Sequence, residues 1–164
     1  MENLDVDAGF HTEPFPMNVS HDLNDVMLDP VVFQQAARHL KFKPTVDLFA
    51  NNIHHQLHRY FSPTADANAA GTNAFAQDWS REWRPYANSP WPHIAKVLQQ
   101  VVRQRVTIMM VVPEWPSAPW YPLWTALCVR AILFTNAVFF DQRGQLRPKP
   151  GWNTQIGTLD GNRQ

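Results

Sequence analysis

The strongest strand signal in the sequence is the run Val106-Thr107-Ile108-Met109-Met110-Val111-Val112, in which only Thr107 is polar. A run of this length without alternating polar residues is typical of a strand that is buried on both faces. Just before it, apolar residues recur at helical spacing from Ile94 to Val102 and predict a helix with one apolar face. A helix that leads into a fully buried strand predicts an α/β fold built around a parallel sheet.

The residues that precede this unit predict one more helix and a series of short strands. Asp29-Pro30 puts a capping side chain before a proline, and the apolar residues after it predict a helix from about 30 to 40. Thr45–Ala50 is a short apolar run of the kind that forms a buried strand. Further strands are predicted at Ala74–Trp79 and Pro85–Asn88, and a loop is predicted from Phe61 to Thr72.

The residues after the central run predict a helix, a β-rich segment and an irregular tail. The helix is expected at Tyr121–Arg130 and the β-rich segment at Ala131–Phe140. Asp141–Gly144 has the composition of a turn, and the tail that follows it is rich in Pro and Gly. Because strands alternate with helices along the chain, we expect a layered α/β domain with a mostly parallel sheet.

The length and composition fit one folded domain. The chain has 164 residues, of which 45% are apolar and 17% charged, so it can bury a core and global disorder is excluded. Its apolar runs are far shorter than the roughly 20 residues that cross a bilayer, so no membrane span is expected. The single cysteine, Cys128, has no partner for an internal disulfide. This predicts an intracellular protein, without distinguishing nucleus from cytoplasm.

Charge is divided unevenly along the chain although the net charge is zero. Residues 1–30 hold seven acidic residues and no Lys or Arg, whereas all 14 basic residues follow with the other seven acids. The body therefore carries a charge of about +7, the difference between 14 basic and seven acidic residues, and is expected to attract a polyanion such as nucleic acid. We expect a flexible acidic arm at residues 1–28 and a folded domain at residues 29–164.

Polar residues follow three of the predicted strands. They are Asp47 with Asn51, then Asp78, then Asn88 and its neighbours. In open parallel sheets, ligands collect at the carboxyl ends of the strands, where the loops meet. An acid there can accept hydrogen bonds from a ribose or an amino group, and an Asn beside a proline and an aromatic ring suits a planar base. The pattern predicts a nucleotide-type site in outline; the alternative is that each side chain only braces its own loop.

Five motifs occur in an order that is typical of one protein family. They are Thr45–Asn51 (TVDLFAN), Arg59–Ser62 (RYFS), Ala74–Trp79 (AFAQDW), Asn88–Trp91 (NSPW) and Val111–Leu123 (VVPEWPSAPWYPL). With these motifs the chain resembles the phage-type DNA adenine methyltransferase domain. It resembles even more closely the relatives of that domain that are carried by DIRS-type and similar eukaryotic retroelements (retrotransposons). The resemblance covers roughly residues 29–152.

This resemblance implies a three-layer Rossmann-like domain that binds S-adenosylmethionine and methylates the exocyclic amine of adenine in DNA. The target base would be flipped out of a duplex or presented in a single strand. The cofactor-binding residues that the resemblance implies are Asp47, Phe49, Ala50 and Asn51 at the methionine end and Asp78 at the adenosine part.

The same resemblance implies that Asn88-Ser89-Pro90-Trp91 is the catalytic motif. Asn88 and the carbonyl group at position 89 would hydrogen-bond the target amine, and Trp91 would stack on the base. Two departures bear on activity: Ser89 stands where the family has the first of two prolines, and Ala50-Asn51-Asn52 stands where cofactor-binding methyltransferases have a glycine-rich turn. The alternative function is a catalytically inactive domain that binds nucleic acid, with DNA favoured, or is a structural subunit that contacts protein partners in a larger assembly.

Overall fold

A five-stranded mixed sheet lies at the centre of the computed structural model, which describes residues 26–163. The predicted acidic arm lies outside the described residues except for its last three, 26–28. The helices are α1 (Pro30–His39), α2 (Ile94–Gln104) and α3 (Tyr121–Leu127). The strands of the described part are β1 (Met27–Leu28), β2 (Val46–Asp47), β3 (Phe61–Ser62), β4 (Gly71–Thr72), β5 (Pro85–Ala87), β6 (Thr107–Pro113), β7 (Cys128–Phe134), β8 (Phe139–Phe140) and β9 (Thr154–Asp160).

The strand order of the central sheet is β2-β5-β6-β9-β7. β2, β5 and β6 are parallel to one another, as predicted, whereas β9 runs antiparallel to both of its neighbours. The prediction of a mostly parallel sheet is therefore right for one half only, because the tail of the chain returns as β9 between β6 and β7. Gly157 permits this return, since a Cβ atom there would lie 2.9 Å from the carbonyl oxygen of Arg130 on β7.

The apolar core occupies both faces of the sheet. Along β6, Ile108, Met110 and Val112 belong to a cluster that includes residues of α2 and α3. Met109 and Val111 belong to a second cluster, which includes residues of α1. Successive side chains of a strand point to opposite faces, so helices cover the sheet on both sides. The protein is a mixed α/β protein, as the central apolar run predicts.

The predicted helices agree with the structure at α1 and α2. The Asp29 carboxylate accepts a hydrogen bond from the Val31 backbone N–H at 2.9 Å and caps α1. Helix α2 ends where Arg105 adopts the left-handed conformation, with φ of 54°. Helix α3 is shorter than predicted because β7 already begins at Cys128. Within residues 26–163, no helix is both long enough and apolar enough to cross a membrane.

The prediction of a strand at Ala74–Trp79 is wrong. This segment forms two 3-10 turns, Ala74–Ala76 and Trp79–Arg81. The side chains of Asn73 and Asp78 accept hydrogen bonds from backbone N–H groups two residues ahead, at 3.1 and 3.0 Å. Such local bonds offer the backbone an alternative to strand pairing. The predicted loop from Phe61 to Thr72 begins with β3 and ends with β4, and these two short strands pair with each other in parallel.

Candidate functional site

A cavity of about 530 Å³ lies at the carboxyl ends of β2 and β5. This is the edge at which ligands bind in open α/β sheets, and the volume lies within the range of small-molecule sites, about 300 to 1,000 Å³. Six of the nine residues proposed for the site from the sequence line the cavity. They are Asp47, Phe49, Ala50, Asn51, Asn88 and Pro90.

Asp47 is held at the end of β2, where β2 pairs with β5. Its partner in the register is Tyr86, and the next residue, Leu48, donates a backbone hydrogen bond to the Tyr86 carbonyl at 2.9 Å. The carboxylate is 3% exposed. It accepts hydrogen bonds from the backbone N–H groups of Gln56 at 2.9 Å and Phe49 at 3.4 Å. The backbone N–H groups of Phe49 and Gln56 therefore fix the Asp47 side chain from both ends of the loop that follows β2.

The Asp47 carboxylate is buried without a cationic partner. No Lys or Arg of residues 26–163 forms a salt bridge with it. Burial raises its pKa from the ordinary 3.8 to about 7, and the hydrogen bonds from Gln56 and Phe49 oppose that rise. A positively charged ligand in the cavity would offset the cost of burying this charge.

Two further polar atoms of the cavity wall have no hydrogen-bond partner among the described residues. They are the hydroxyl of Tyr86 and Nε2 of His54, both buried. Burial, reinforced by the charge of Asp47, raises the pKa of Tyr86 well above 10, so the phenol keeps its proton. Buried polar groups are almost always hydrogen-bonded. The cavity wall thus holds a phenol O–H without a partner among the described residues, beside a carboxylate that no Lys or Arg of those residues neutralises, which is the kind of wall that a polar ligand completes.

Asn51 closes the loop after β2. Its side-chain oxygen accepts hydrogen bonds from the backbone N–H groups of Ile53 at 2.9 Å and His54 at 2.8 Å. The Asn51 N–H in turn donates to the His54 carbonyl at 3.1 Å. These bonds make a tight turn in a chain that lacks glycine here. Asn51 therefore lines the cavity as the residue that shapes its loop.

One side of the cavity is aromatic. The rings of Phe49 and Phe75 lie 5.3 Å apart, and Phe75 meets the imidazole of His93 edge to face at 5.7 Å. The Lys96 ammonium lies 4.3 Å from the Phe75 ring centroid. Burial and the neighbouring Lys96 charge lower the pKa of His93, so this ring is neutral at pH 7. A planar, uncharged group such as a nucleobase suits this wall.

The Asn88–Trp91 segment separates the main cavity from a second, smaller one. Asn88 and Pro90 line the main cavity, whereas Ser89 is buried and its hydroxyl has no partner among the described residues. Trp91 lines the second cavity, of about 110 Å³, together with Trp152 and two basic residues of the 147–149 segment. It is 8% exposed and packs edge to face against Trp115 at 4.8 Å and Trp152 at 5.3 Å.

Asp78 lies away from both cavities. It caps the 3-10 turn that begins at Trp79 and accepts hydrogen bonds from the backbone and hydroxyl of Ser80 at 3.0 and 2.5 Å. It also forms an ion pair with Arg81 at 3.7 Å. The hydrogen bonds from Ser80 lower its pKa. Asp78, Ser89 and Trp91 are thus the three proposed site residues that the structure does not bring into the main cavity.

The sequence-based prediction missed several residues of the cavity wall. Tyr86 is the most important, and its signal was present: β2 and β5 were both predicted, and parallel pairing puts Tyr86 beside Asp47. His54 and Gln56 lie in the irregular segment after β2, for which no periodic pattern exists. Phe75 was assigned to a strand that does not form.

No protein-family model matches the chain, and no curated protein matches it. The main cavity offers a buried acceptor for a cation, a phenol O–H without a partner among the described residues, an aromatic wall and the side chain of Asn88.

Proposed function

We propose that this chain is a Rossmann-like domain that binds S-adenosylmethionine in the main cavity and belongs, by mechanism, with the DNA adenine methyltransferases. The observation that carries the proposal is the convergence of Asp47, Phe49, Ala50 and Asn51 with Asn88 and Pro90 around one cavity. These residues come from two of the motifs that resemble that family and lie 37 or more positions apart in the chain. The parallel strands β2, β5 and β6, with helices on both faces, support the Rossmann-like part of the proposal.

The chemical groups of S-adenosylmethionine suit the cavity. Its ammonium and sulfonium groups would offset the buried charge of Asp47, which has no Lys or Arg partner in the described part of the chain. The adenine ring suits the aromatic wall formed by Phe49 and Phe75. The hydroxyl of Tyr86, which has no partner within residues 26–163, would donate to an oxygen of the ligand. When bound, S-adenosylmethionine would supply an electrophilic methyl group.

The chain's own residues would bind and orient the target amine. Asn88 lies at the end of β5, and its side-chain oxygen and the carbonyl at Ser89 are acceptors for the two hydrogens of an exocyclic amine. Holding the amine in this way keeps its nitrogen lone pair available for transfer. Pro90 limits the backbone of the loop that carries both acceptors. A general base is not required before transfer, because the nitrogen loses its proton after it becomes cationic.

Isothermal titration calorimetry of the full chain with S-adenosylmethionine tests the binding step. We expect saturable binding in the micromolar range and a loss of about tenfold or more in Asp47→Asn, because a charge-assisted hydrogen bond is lost. Asp78→Asn is the matched control, since it removes the same charge outside the cavity and should leave the affinity unchanged. Absence of binding, or equal losses in the two variants, would contradict the proposal.

A second candidate function is a module that has kept this cavity and lost methyl transfer. The observation that favours it is Trp91, whose ring packs between Trp115 and Trp152 and lines the second cavity. Transfer of a labelled methyl group to an adenine-containing oligonucleotide separates the two functions. Transfer that Asn88→Ala abolishes supports the enzyme; S-adenosylmethionine binding without any transfer supports the inactive module.

A further inference from the structure

The edge of the sheet opposite the main cavity carries a row of basic residues. At this edge β2, β5 and β6 begin and the antiparallel strand β9 ends. The four strand termini lie side by side, as the strand pairings require. Hydrogen bonds extend the row beyond the strands: Thr45 N–H donates to the Arg84 carbonyl at 3.2 Å, and Gly161 N–H to the Val106 carbonyl at 2.8 Å. The basic residues next to these strand ends are Lys43, Arg84, Arg105 and Arg163.

The spacing of the row follows from the sheet. Hydrogen-bonded strands lie about 4.8 Å apart, so four adjacent strand ends span about 14 Å. Lys43, Arg105 and Arg163 are exposed. None of the four basic residues forms a salt bridge with an acid of residues 26–163. Two acids lie near this edge: Glu82 accepts two hydrogen bonds of 2.9 Å from the Arg59 guanidinium, and Asp160 accepts hydrogen bonds from Asn162.

An exposed tryptophan stands within this row. Trp83 is 66% exposed, which is unusual for so large an apolar side chain. The guanidinium of Arg84 lies 4.8 Å from the Trp83 ring centroid and 5.2 Å from that of Phe42. The Trp83 carbonyl accepts a hydrogen bond from the hydroxyl of Thr45, so the backbone that carries the indole is anchored to the strand next to it.

We propose that this amino edge of the sheet, formed by Lys43, Trp83, Arg84, Arg105 and Arg163, binds single-stranded nucleic acid. The basic row would contact the phosphates, and the face of Trp83 would stack on an unpaired base. A duplex keeps its bases stacked on one another, so an exposed indole favours a single strand. This surface lies at the opposite edge from the main cavity, and the proposal does not depend on S-adenosylmethionine binding.

Fluorescence anisotropy with a labelled single-stranded DNA of about 12 nucleotides, a length within the usual site sizes, tests the proposal on the full chain. The first variant combines Lys43→Gln, Arg105→Gln and Arg163→Gln. Its control is Arg143→Gln, which removes an exposed positive charge from the turn after β8, outside both cavities. A second variant, Trp83→Ala, removes the stacking ring without changing charge.

The expected results differ between the variants. Loss of three phosphate contacts should lower the slope of log affinity against log salt by about 2, and Arg143→Gln should leave that slope unchanged. Trp83→Ala should weaken binding by about 5- to 150-fold, because base stacking on an aromatic ring contributes that much. Duplex DNA of the same sequence should bind more weakly than the single strand.

Three results would overturn the proposal. They are an unchanged affinity in Trp83→Ala, a loss for each removed charge in Arg143→Gln that equals the loss for each removed charge in the first variant, and no binding by the unmodified chain. Calorimetry of the same variants with S-adenosylmethionine keeps the two proposals separate. Variants of the amino edge should bind that cofactor like the unmodified chain, and failure of cofactor binding would leave the nucleic-acid result intact.

Discussion

Replacement of Asp47 by Asn should remove a large part of the pH dependence of the protein's stability. Burial raises the pKa of Asp47 from 3.8 to about 7 in the folded protein. Between these values the folded protein holds a proton that the unfolded chain has lost, so the free energy of unfolding falls as the pH rises. At about 1.4 kcal/mol for each pKa unit, the loss is about 4 kcal/mol, absent below pH 3.8 and complete above pH 7.

Urea denaturation followed by tryptophan fluorescence at a series of pH values measures this effect. The Asn side chain keeps one acceptor for the Phe49 and Gln56 N–H groups and loses the other. The two proteins are therefore compared by the slope of their free energy of unfolding against pH, and not by their stability at one pH. The facing titratable group is Tyr86, whose pKa lies well above 10 and outside the window. We expect the stability of the unmodified protein relative to Asp47→Asn to decline by about 3 kcal/mol from pH 4 to pH 7.

Asp78→Asn is the control for this experiment. Hydrogen bonds lower the pKa of Asp78, so its contribution has the opposite sign: it is present above the ordinary pKa and lost as the pH falls through the folded value. Removing Asp78 should therefore steepen the decline slightly. Equal slopes in the unmodified protein and Asp47→Asn would refute the argument that Asp47 is buried without a cationic partner in the described part of the chain.

Three more predictions concern Asp47, Tyr86 and Gly157. When S-adenosylmethionine binds at pH 6, the protein should release up to about one proton, because a bound cation lowers the pKa of Asp47. Calorimetry in buffers of different ionisation enthalpy measures this release, and its absence would show that the ligand binds elsewhere. Tyr86→Phe should raise the stability of the free protein by about 1 kcal/mol, since it removes a buried hydroxyl without a partner in the described chain, and should weaken cofactor binding; a destabilised variant contradicts this. Gly157→Ala should lower the free energy of unfolding by about 1 to 3 kcal/mol, because the new Cβ would lie 2.9 Å from the Arg130 carbonyl oxygen. A midpoint of thermal denaturation equal to that of the unmodified protein would show that β7 can move aside.

The elements that the sequence predicts well are those with strong local signals. Asp29 and Pro30 mark the start of α1 by side-chain chemistry that acts within one turn. The run from 106 to 112 has no polar alternation because β6 is covered on both faces. Both signals depend only on residues close together in the chain, so no knowledge of the partners is needed.

Elements that depend on distant partners were missed. β9 reads Thr154-Gln155-Ile156-Gly157-Thr158-Leu159-Asp160, in which apolar and polar residues are mixed and Gly157 weakens the strand signal. It is a strand because it fills the space between β6 and β7 and pairs with both. Asp78 was misassigned for the opposite reason, since its side chain makes a local turn that overrides the strand propensity around it.

The candidate site was predictable to the extent that it follows the edge of the sheet. Asp47 and Asn88 meet at one cavity because parallel strands bring their carboxyl ends together. Trp91 follows the same strand as Asn88 but belongs to a tryptophan cluster assembled from segments more than 20 residues apart. Such packing is set by the tertiary structure, and a motif alone does not reveal it.

Hydrogen–deuterium exchange of the full chain with and without S-adenosylmethionine tests the central claim most directly, because it reports where the ligand binds. The account predicts slower exchange in residues 47–56, which include the N–H groups that donate to Asp47, and in residues 86–91, which form the end of β5 and the segment after it. Residues 81–84 and 103–106 at the amino edge should exchange as before. Protection confined to the amino edge, or none in either cavity loop at saturating ligand, would contradict it.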